Sequence, residues 1–222
     1  MEKNRPNIRH VEVSEIERFI ANVGERPFRV KQIVDWLWQK HAHSFDEMTD
    51  LSKDLRKQLV EHFTFPALQI NATQQSEDGT LKTRFRTFDD HMIEGVLIPT
   101  SERKTACVSS QVGCSLSCKF CATGTMDRKR NLNFDEIYDQ VVYINQQSEA
   151  AHEKHLSNIV FMGMGEPLMN YHNVLKAIEK ITSPDGLGMS PKRITVSTAG
   201  LVKQIKQLGD DGVRFKLAVS LH

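Results

Sequence analysis

Residues 107–121 read CVSSQVGCSLSCKFC and contain all four cysteines of the 222-residue chain. The last three, Cys114, Cys118 and Cys121, fall at Cys-x3-Cys-x2-Cys spacing. Thiolates are the usual ligands of iron–sulfur clusters, and so short a spacing lets one loop wrap three corners of a cubane. Only three ligands are offered. The fourth iron would then lack a protein ligand, and an open coordination position separates a site that transforms a substrate from one that only carries electrons. Phe120, between the last two ligands, could cover the cluster from water. A structural zinc site would instead need two separated Cys/His pairs, and His91 and His152 lie far away with no pair spacing. A disulfide framework does not suit a long chain without a secretion signal. The spacing therefore favours a cluster over zinc, and either metal over inert thiols.

The elements that must position this loop follow from periodicity. From Thr105 onward, strands and helices alternate as in a parallel βα structure. Strands are predicted over 104–109, 158–162, 193–197 and 213–221. The intervening helices are marked by Ile137, Val141 and Ile144, by Val174, Leu175, Ile178 and Ile181, and by Leu201, Ile205 and Leu208. Asn133 and Glu136 form a capping-box start for the first helix. In barrels of this kind the active site lies at the C-terminal strand ends, where the βα loops converge. After the first strand comes the cysteine loop. After the second comes Gly163-Met164-Gly165-Glu166-Pro167, whose glycines permit close backbone approach to a ligand and whose Glu166 can accept from an ammonium group. Ser197 to Gly200 follow the third strand, and Ser220, Leu221 and His222 follow the fourth.

The N-terminal part reads differently. Residues 11–65 form a helical module, with Val13, Ile16, Ile20 and Val23 at helical spacing, Gly24 as a stop, Pro27 opening a second helix and Ser52 capping a third. His41 and His43 read as capping or exposed groups. From Leu68 to Pro99 the period becomes two, and Asp78-Gly79 signals a hairpin. Lys82, Arg84 and Arg86 share one strand face opposite Leu81, Thr83 and Phe85, either as the wet face of a sheet or as a phosphate track. In the next run Glu94 points with Met92, Val96 and Ile98, which predicts a carboxylate in partly desolvated surroundings. The fold class is thus α/β, a partial (β/α) barrel over 100–222 preceded by a helical accessory domain over 1–66 and a β-hairpin extension over 67–99.

Composition is ordinary for a soluble protein, with 39% hydrophobic and 26% charged residues. The absence of an eighteen-residue apolar run and the charged first twenty residues predict neither membrane span nor signal peptide, hence a cytoplasmic protein. A net charge of +1 does not by itself indicate nucleic acid. Local charge is more telling, because Arg103, Lys104, Lys119, Arg128, Lys129 and Arg130 face only Glu102 and Asp127 between residues 101 and 131. Read alone, that cluster is as consistent with a solvated face as with phosphate contact.

Cys-x3-Cys-x2-Cys with an aromatic before the last Cys resembles the radical S-adenosylmethionine (SAM) superfamily. The longer string, CVSSQVGC followed by CATG and RNL, resembles the RNA adenine C2-methyltransferases of the RlmN type, over the whole of this chain. That resemblance implies a [4Fe-4S] cluster on Cys114, Cys118 and Cys121, with SAM on the open iron and in contact with Gly165, Glu166, Ser197, Ser220, Leu221 and His222. It implies methylation of an adenosine in 23S rRNA and one in tRNA, with phosphate contact the better reading of the basic cluster and an RNA-binding role for the helical module. Cleavage of SAM gives methionine and a 5'-deoxyadenosyl radical, while the protein orients the cofactor. A methyl group first carried on a C-terminal cysteine is activated by that radical and added to C2 of adenine. Glu94 matches the family's proton acceptor. Cys107 matches its second catalytic cysteine, which helps release the crosslinked RNA through a disulfide. The implied partners are the two RNAs and an electron donor such as flavodoxin or ferredoxin, with a monomer and no membrane expected.

Two departures qualify the resemblance. All four cysteines are assigned, so none remains to carry the methyl group, and the family barrel has six βα units where this chain has four strands. The expectation is an N-terminal portion that does not transfer methyl by itself. The related C8-methyltransferase branch and a non-enzymatic cluster-bearing RNA-binding remnant are the alternatives, with CATG and RNL favouring the C2 branch.

Overall fold

Apolar residues recurring three and four positions apart build the helices of the N-terminal unit in the computed structural model, which describes residues 5–221. The chain divides into two units, one comprising residues up to Ala67 with Pro184–Leu187, the other Leu68–Ser183 with the residues from Gly188. In the first, α1 (Val13–Asn22), α2 (Phe28–Trp38) and α3 (Lys53–His62) surround a core that includes Ile16, Phe19, Ile20, Ile33, Leu37 and Leu59. Gly24 stops α1 at φ +73°, Pro27 sits at the N-cap of α2, and Ser52 Oγ accepts from Leu55 N–H at 3.1 Å. Val13, expected in the apolar stripe, is exposed; Phe19 takes the inward place because it lies three residues after Ile16.

The second unit is built on a seven-stranded sheet. It begins with β1 (Gln69–Gln75), β2 (Leu81–Arg86), β3 (Met92–Pro99) and β4 (Lys104–Cys107), each antiparallel to the last. A two-stranded pair follows, β5 (Gln111–Val112) with β6 (Arg130–Asn131), and then α4 (Phe134–His152). The rest alternates as β7 (Asn158–Phe161), α5 (Tyr171–Thr182), β8 (Ile194–Thr198), α6 (Val202–Asp210) and β9 (Lys216–Val219). Strands β4, β7, β8 and β9 are parallel neighbours in that order. The sequence sets 67–99 apart as an extension, and its strands continue the sheet of the parallel core without a break.

One sheet face is packed and the other open. Phe85, Ile93, Leu97, Ala106, Ile159 and Ile194 are fully buried, together with Ile137, Val141 and Ile144 of α4 and Val174 and Ile181 of α5. Burial of side chains of this size contributes about 1.5–3 kcal/mol each. Gly95 lies where a Cβ would stand 2.9 Å from Ile144, so α4 approaches β3 closely. Register puts Glu94, Val96, Thr105, Cys107, Val160, Thr195 and Ser197 on the opposite face, all less buried.

The β2–β3 turn, β6 and the start of α4 are tied by one arginine. Arg130 donates to both oxygens of Asp89 at 2.7 Å and to both of Glu136 at 2.7 and 2.8 Å, with its guanidinium over Phe88. Glu136 also closes the expected capping box by accepting from Asn133 N–H at 2.9 Å. The Arg130 bonds hold the Asp89 carboxyl far below its usual range, against the opposing effect of burial. A depressed carboxyl adds stability that is present above its unfolded value of about 4 and is lost as pH falls below it. Arg130→Ala is therefore expected to lower the unfolding free energy by about 2–4 kcal/mol at neutral pH in a urea titration, leaving Glu136 buried and uncompensated. The gap between the two proteins should narrow as pH is taken below about 4.

Candidate active site

Parallel strands bring the loops after β4, β7, β8 and β9 to one edge, and backbone bonds link those loops in series. Ser110 and Gln111 N–H donate to Met164 O at 2.8 and 3.1 Å, and Gly163 N–H donates to Val108 O at 3.0 Å. Glu166 accepts from Leu168 N–H on one oxygen and from Ala199 N–H on the other, both at 2.9 Å, joining the β7 and β8 loops. Ser220 N–H donates to Thr198 O at 2.9 Å, and the Ser197 and Ser220 hydroxyls stand 3.5 Å apart. Four of the expected SAM-contacting residues, Gly165, Glu166, Ser197 and Ser220, thus share one edge. Leu221 is exposed, and His222 lies outside the described residues.

The reason for the glycines differs from the expectation. Gly165 has φ +94°, and a Cβ there would stand 2.4 Å from Gln111 Cβ; at Gly163 it would meet Ser109 Oγ and Val108 O at 2.7 Å. Both glycines admit the protein's own β4–β5 segment. Glu166 is buried at 3% exposure with each oxygen already bonded to a backbone N–H, which makes it a tie between loops as well as a candidate acceptor.

The cysteine loop hangs from β4 and is closed at its neck by the β5–β6 pair. Inside, Cys121 N–H donates to Cys118 O at 3.1 Å, Gly124 N–H to Cys121 O at 2.9 Å and Cys114 N–H to Met126 O at 3.3 Å. A Cβ on Gly124 would stand 2.6 Å from Cys118 O, which accounts for glycine in the CATG string. Cys114, Cys118 and Cys121 are free thiols, each partly exposed, and none of the four cysteines is in a disulfide. Among the described residues no three metal-binding side chains converge on a single ion. The donor set of three soft thiols on a folded-back loop suits a cluster. Phe120 is 68% exposed in this loop. Beside it, a cleft of about 530 Å³ is lined in part by Ser115, Arg128, Asn131, His172, Lys203 and Gln207.

Cys107 ends β4 on the open face. Burial pushes its thiol up, with the Met162 N–H only partly offsetting. Since the thiolate is the nucleophile, alkylation of Cys107 should be slow at neutral pH and should accelerate as pH rises beyond the ordinary thiol range, as followed by peptide mass spectrometry. Glu94 departs from expectation. Its face is the open one, its side chain is 44% exposed, and Lys82 Nζ lies 3.1 Å from its carboxylate. The run 92–98 reads as apolar on both sides, but only Ile93, Gly95 and Leu97 face the helices. The basic cluster also shrinks, because Arg130 is held between two acids and Lys104 is buried with its Nζ on Thr100 O at 2.7 Å.

Three polar residues were not singled out by sequence. Gln140 bonds both backbone groups of Ser109, Asn170 donates to Ser110 O and Leu132 O, and Gln111 donates to Asn131 Oδ1 and accepts from Glu166 N–H. Together they fix the root of the cysteine loop. Gln140 carried a readable signal, an amide buried between Ile137 and Val141; the others become visible only in three dimensions.

Comparison with known proteins decides the family. Residues 6–65 match the ribosomal RNA large subunit methyltransferase N-terminal domain, and residues 108–219 match the radical SAM superfamily. This chain belongs to the radical SAM superfamily. Within the superfamily it is similar to chains described as RlmN. A probable dual-specificity RNA methyltransferase RlmN from Christiangramia forsetii is 56% identical over 98% of this chain and 62% of its own length. One of the same description from Flavobacterium psychrophilum is 54% identical over 100% of this chain and 64% of its own. The crystal structure of a radical SAM methyltransferase from Sphaerobacter thermophilus superimposes with TM-score 0.87 at 40% identity, over 98% of this chain and 64% of that one. The chain therefore spans about three fifths of the length of these radical SAM relatives. Its α/β architecture is the partial radical SAM fold expected from sequence. No helix among the described residues is long and apolar enough to cross a membrane.

Proposed function

We propose that this chain carries the cluster-binding and SAM-binding portion of an enzyme that methylates C2 of an adenosine in 23S rRNA and in tRNA. The observation that carries this reading is the bonded edge of four strand ends beneath a loop with three free thiols, in a chain whose relatives are described as dual-specificity RNA methyltransferases. Cys114, Cys118 and Cys121 would hold a [4Fe-4S] cluster, which with SAM bound supplies the radical chemistry.

The protein's own residues bind, orient and move protons around that group. Gly165, Ser197, Ser220, Leu221 and His222 would line the SAM position. Glu166 keeps two lone-pair sites beyond its two backbone bonds, enough to accept from the SAM ammonium while holding the β7 and β8 loops together. Glu94, half exposed on the open face, would take the proton from the adenine carbon. Cys107, on the same face, would act as the thiol that resolves the protein–RNA adduct. None of the four cysteines is left for the methyl carrier, so the 222-residue chain alone is expected to cleave SAM without methylating RNA. An electron donor such as flavodoxin or ferredoxin, a monomeric state and a cytoplasmic setting complete the reading.

Anaerobically reconstituted protein given SAM and a reductant should release 5'-deoxyadenosine. Joined to a C-terminal part from a relative, it should yield 2-methyladenosine in RNA digests by mass spectrometry. Finding 8-methyladenosine would move the chain to the C8 branch, and failure to bind SAM would remove the enzymatic reading.

A further inference from the structure

On β2 the burial alternates strictly, with Leu81, Thr83 and Phe85 buried and Lys82, Arg84 and Arg86 exposed. Register then places these three cations on the same face as the site. Lys82 stands opposite Val96, and Val96 opposite Cys107, so the three form one row across β2, β3 and β4. Arg84 is level with Glu94 and Arg86 with Met92. Because β2 and β4 run the same way, the cations climb from the level of Cys107 toward the edge bearing the cysteine loop. At about 3.3 Å per residue the row is roughly 13 Å long, and Lys82 lies two strand spacings, about 10 Å, from Cys107.

The partners of these cations leave their charge available. Asn71 Oδ1 accepts from Arg84 Nε at 2.7 Å, and Gln69 Oε1 accepts from Arg86, so neutral amides orient both guanidiniums. The acidic contacts, Lys82 with Glu94 at 3.1 Å and Arg86 with Asp90 at 3.7 Å, involve half-exposed or exposed carboxylates. Such pairs are worth about 0–1 kcal/mol and yield readily to phosphate. Arg130, clamped between Asp89 and Glu136, shows what a cation used for structure looks like in this unit. β1 adds Gln69, Asn71 and Gln74, and amides with arginines are the side chains that contact sugar and phosphate.

We propose that the open face of β1–β3 is a phosphate track that holds the single-stranded RNA beside the target adenosine and leads it to Cys107 and Glu94. This rests on the reading of the protein as an RNA methyltransferase and assigns the substrate backbone to Lys82, Arg84 and Arg86. A second basic group, Arg103, Lys192 and Lys216, lies at the opposite ends of the parallel strands and serves as the control.

The test is fluorescence anisotropy of a fluorescein-labelled RNA hairpin with an unpaired adenosine in its loop, titrated anaerobically with the reconstituted protein at several salt concentrations. Lys82→Gln/Arg84→Gln/Arg86→Gln is expected to weaken binding by about tenfold or more and to reduce the slope of log K against log salt by about 2, as for three lost single-strand phosphate contacts. Arg103→Gln/Lys192→Gln/Lys216→Gln should leave both unchanged. Arg84→Lys alone, which keeps the charge, should retain most of the affinity, and unchanged melting curves will show that the variants fold. Wild-type binding that the first triple leaves intact, or that both triples weaken equally, overturns the track while the RNA reading stands. Absence of wild-type binding overturns both.

Discussion

Cys118→Ala, reconstituted anaerobically with iron and sulfide, is expected to hold almost no iron, against about four per chain in the wild type, and to lack the broad charge-transfer absorption near about 400 nm. The loop supplies three free thiols, of which Cys118 is the middle one. Losing the middle ligand leaves Cys114 and Cys121 to bridge a gap that the fold-back at Cys118 otherwise spans. Cys107→Ala is the companion experiment. That cysteine ends β4 and lies outside the loop neck formed by β5 and β6, so its replacement should leave iron content and colour intact. A colourless wild type carrying zinc would overturn the cluster assignment and, with it, the proposed chemistry.

Gly165→Ala should be nearly as damaging, through packing instead of ligation. The residue combines φ +94° with a Cβ position 2.4 Å from Gln111 Cβ and 2.9 Å from Gln111 N. Left-handed strain of about 1–2 kcal/mol and overpacking of about 1–3 kcal/mol add to roughly 2–5 kcal/mol. In a chain of this size that lowers Tm by on the order of 10 °C. Gln111 cannot simply step aside, since it accepts from Glu166 N–H and donates to Asn131 across the loop neck. The same substitution should therefore weaken SAM binding in whatever fraction remains folded. Gly212→Ala separates the two contributions: its φ is +62° but nothing lies within 4 Å of a Cβ there, so it should cost only the backbone strain, about 1 kcal/mol. Equal Tm losses for the two variants would show that contact with Gln111 is not what requires glycine at 165.

What could be read from sequence was what repeats or sits close together along the chain. Three helices before residue 63, the Asp78-Gly79 hairpin and the βα alternation all follow from local periodicity and turn chemistry, and each appears within a few residues of its expected place. The cysteine loop could be singled out as a candidate because its residues are contiguous. Glu94 was misjudged because alternation assigns residues to two faces without saying which one meets a helix; Gly95, packed under Ile144, decides that in three dimensions. Arg130 looked like surface charge because its partners, Asp89 and Glu136, lie on either side of it in sequence and only the fold brings both to one guanidinium. Gly165 was read as room for a ligand, whereas the room is taken by Gln111, far earlier in the chain.

The β5–β6 pair bears on how the cysteine loop meets its metal. By joining Gln111 to Asn131 and Val112 to Arg130, it brings together the ends of segment 113–129. Closing a free segment of that length costs on the order of 2–3 kcal/mol of chain entropy. Here that cost is met by strand pairing and by the amide bonds of Gln111, Gln140 and Asn170. Holding a cluster as proposed, the three thiols would act as a tethered chelate, and each iron–sulfur bond after the first would form at high effective concentration instead of recruiting a ligand from open chain.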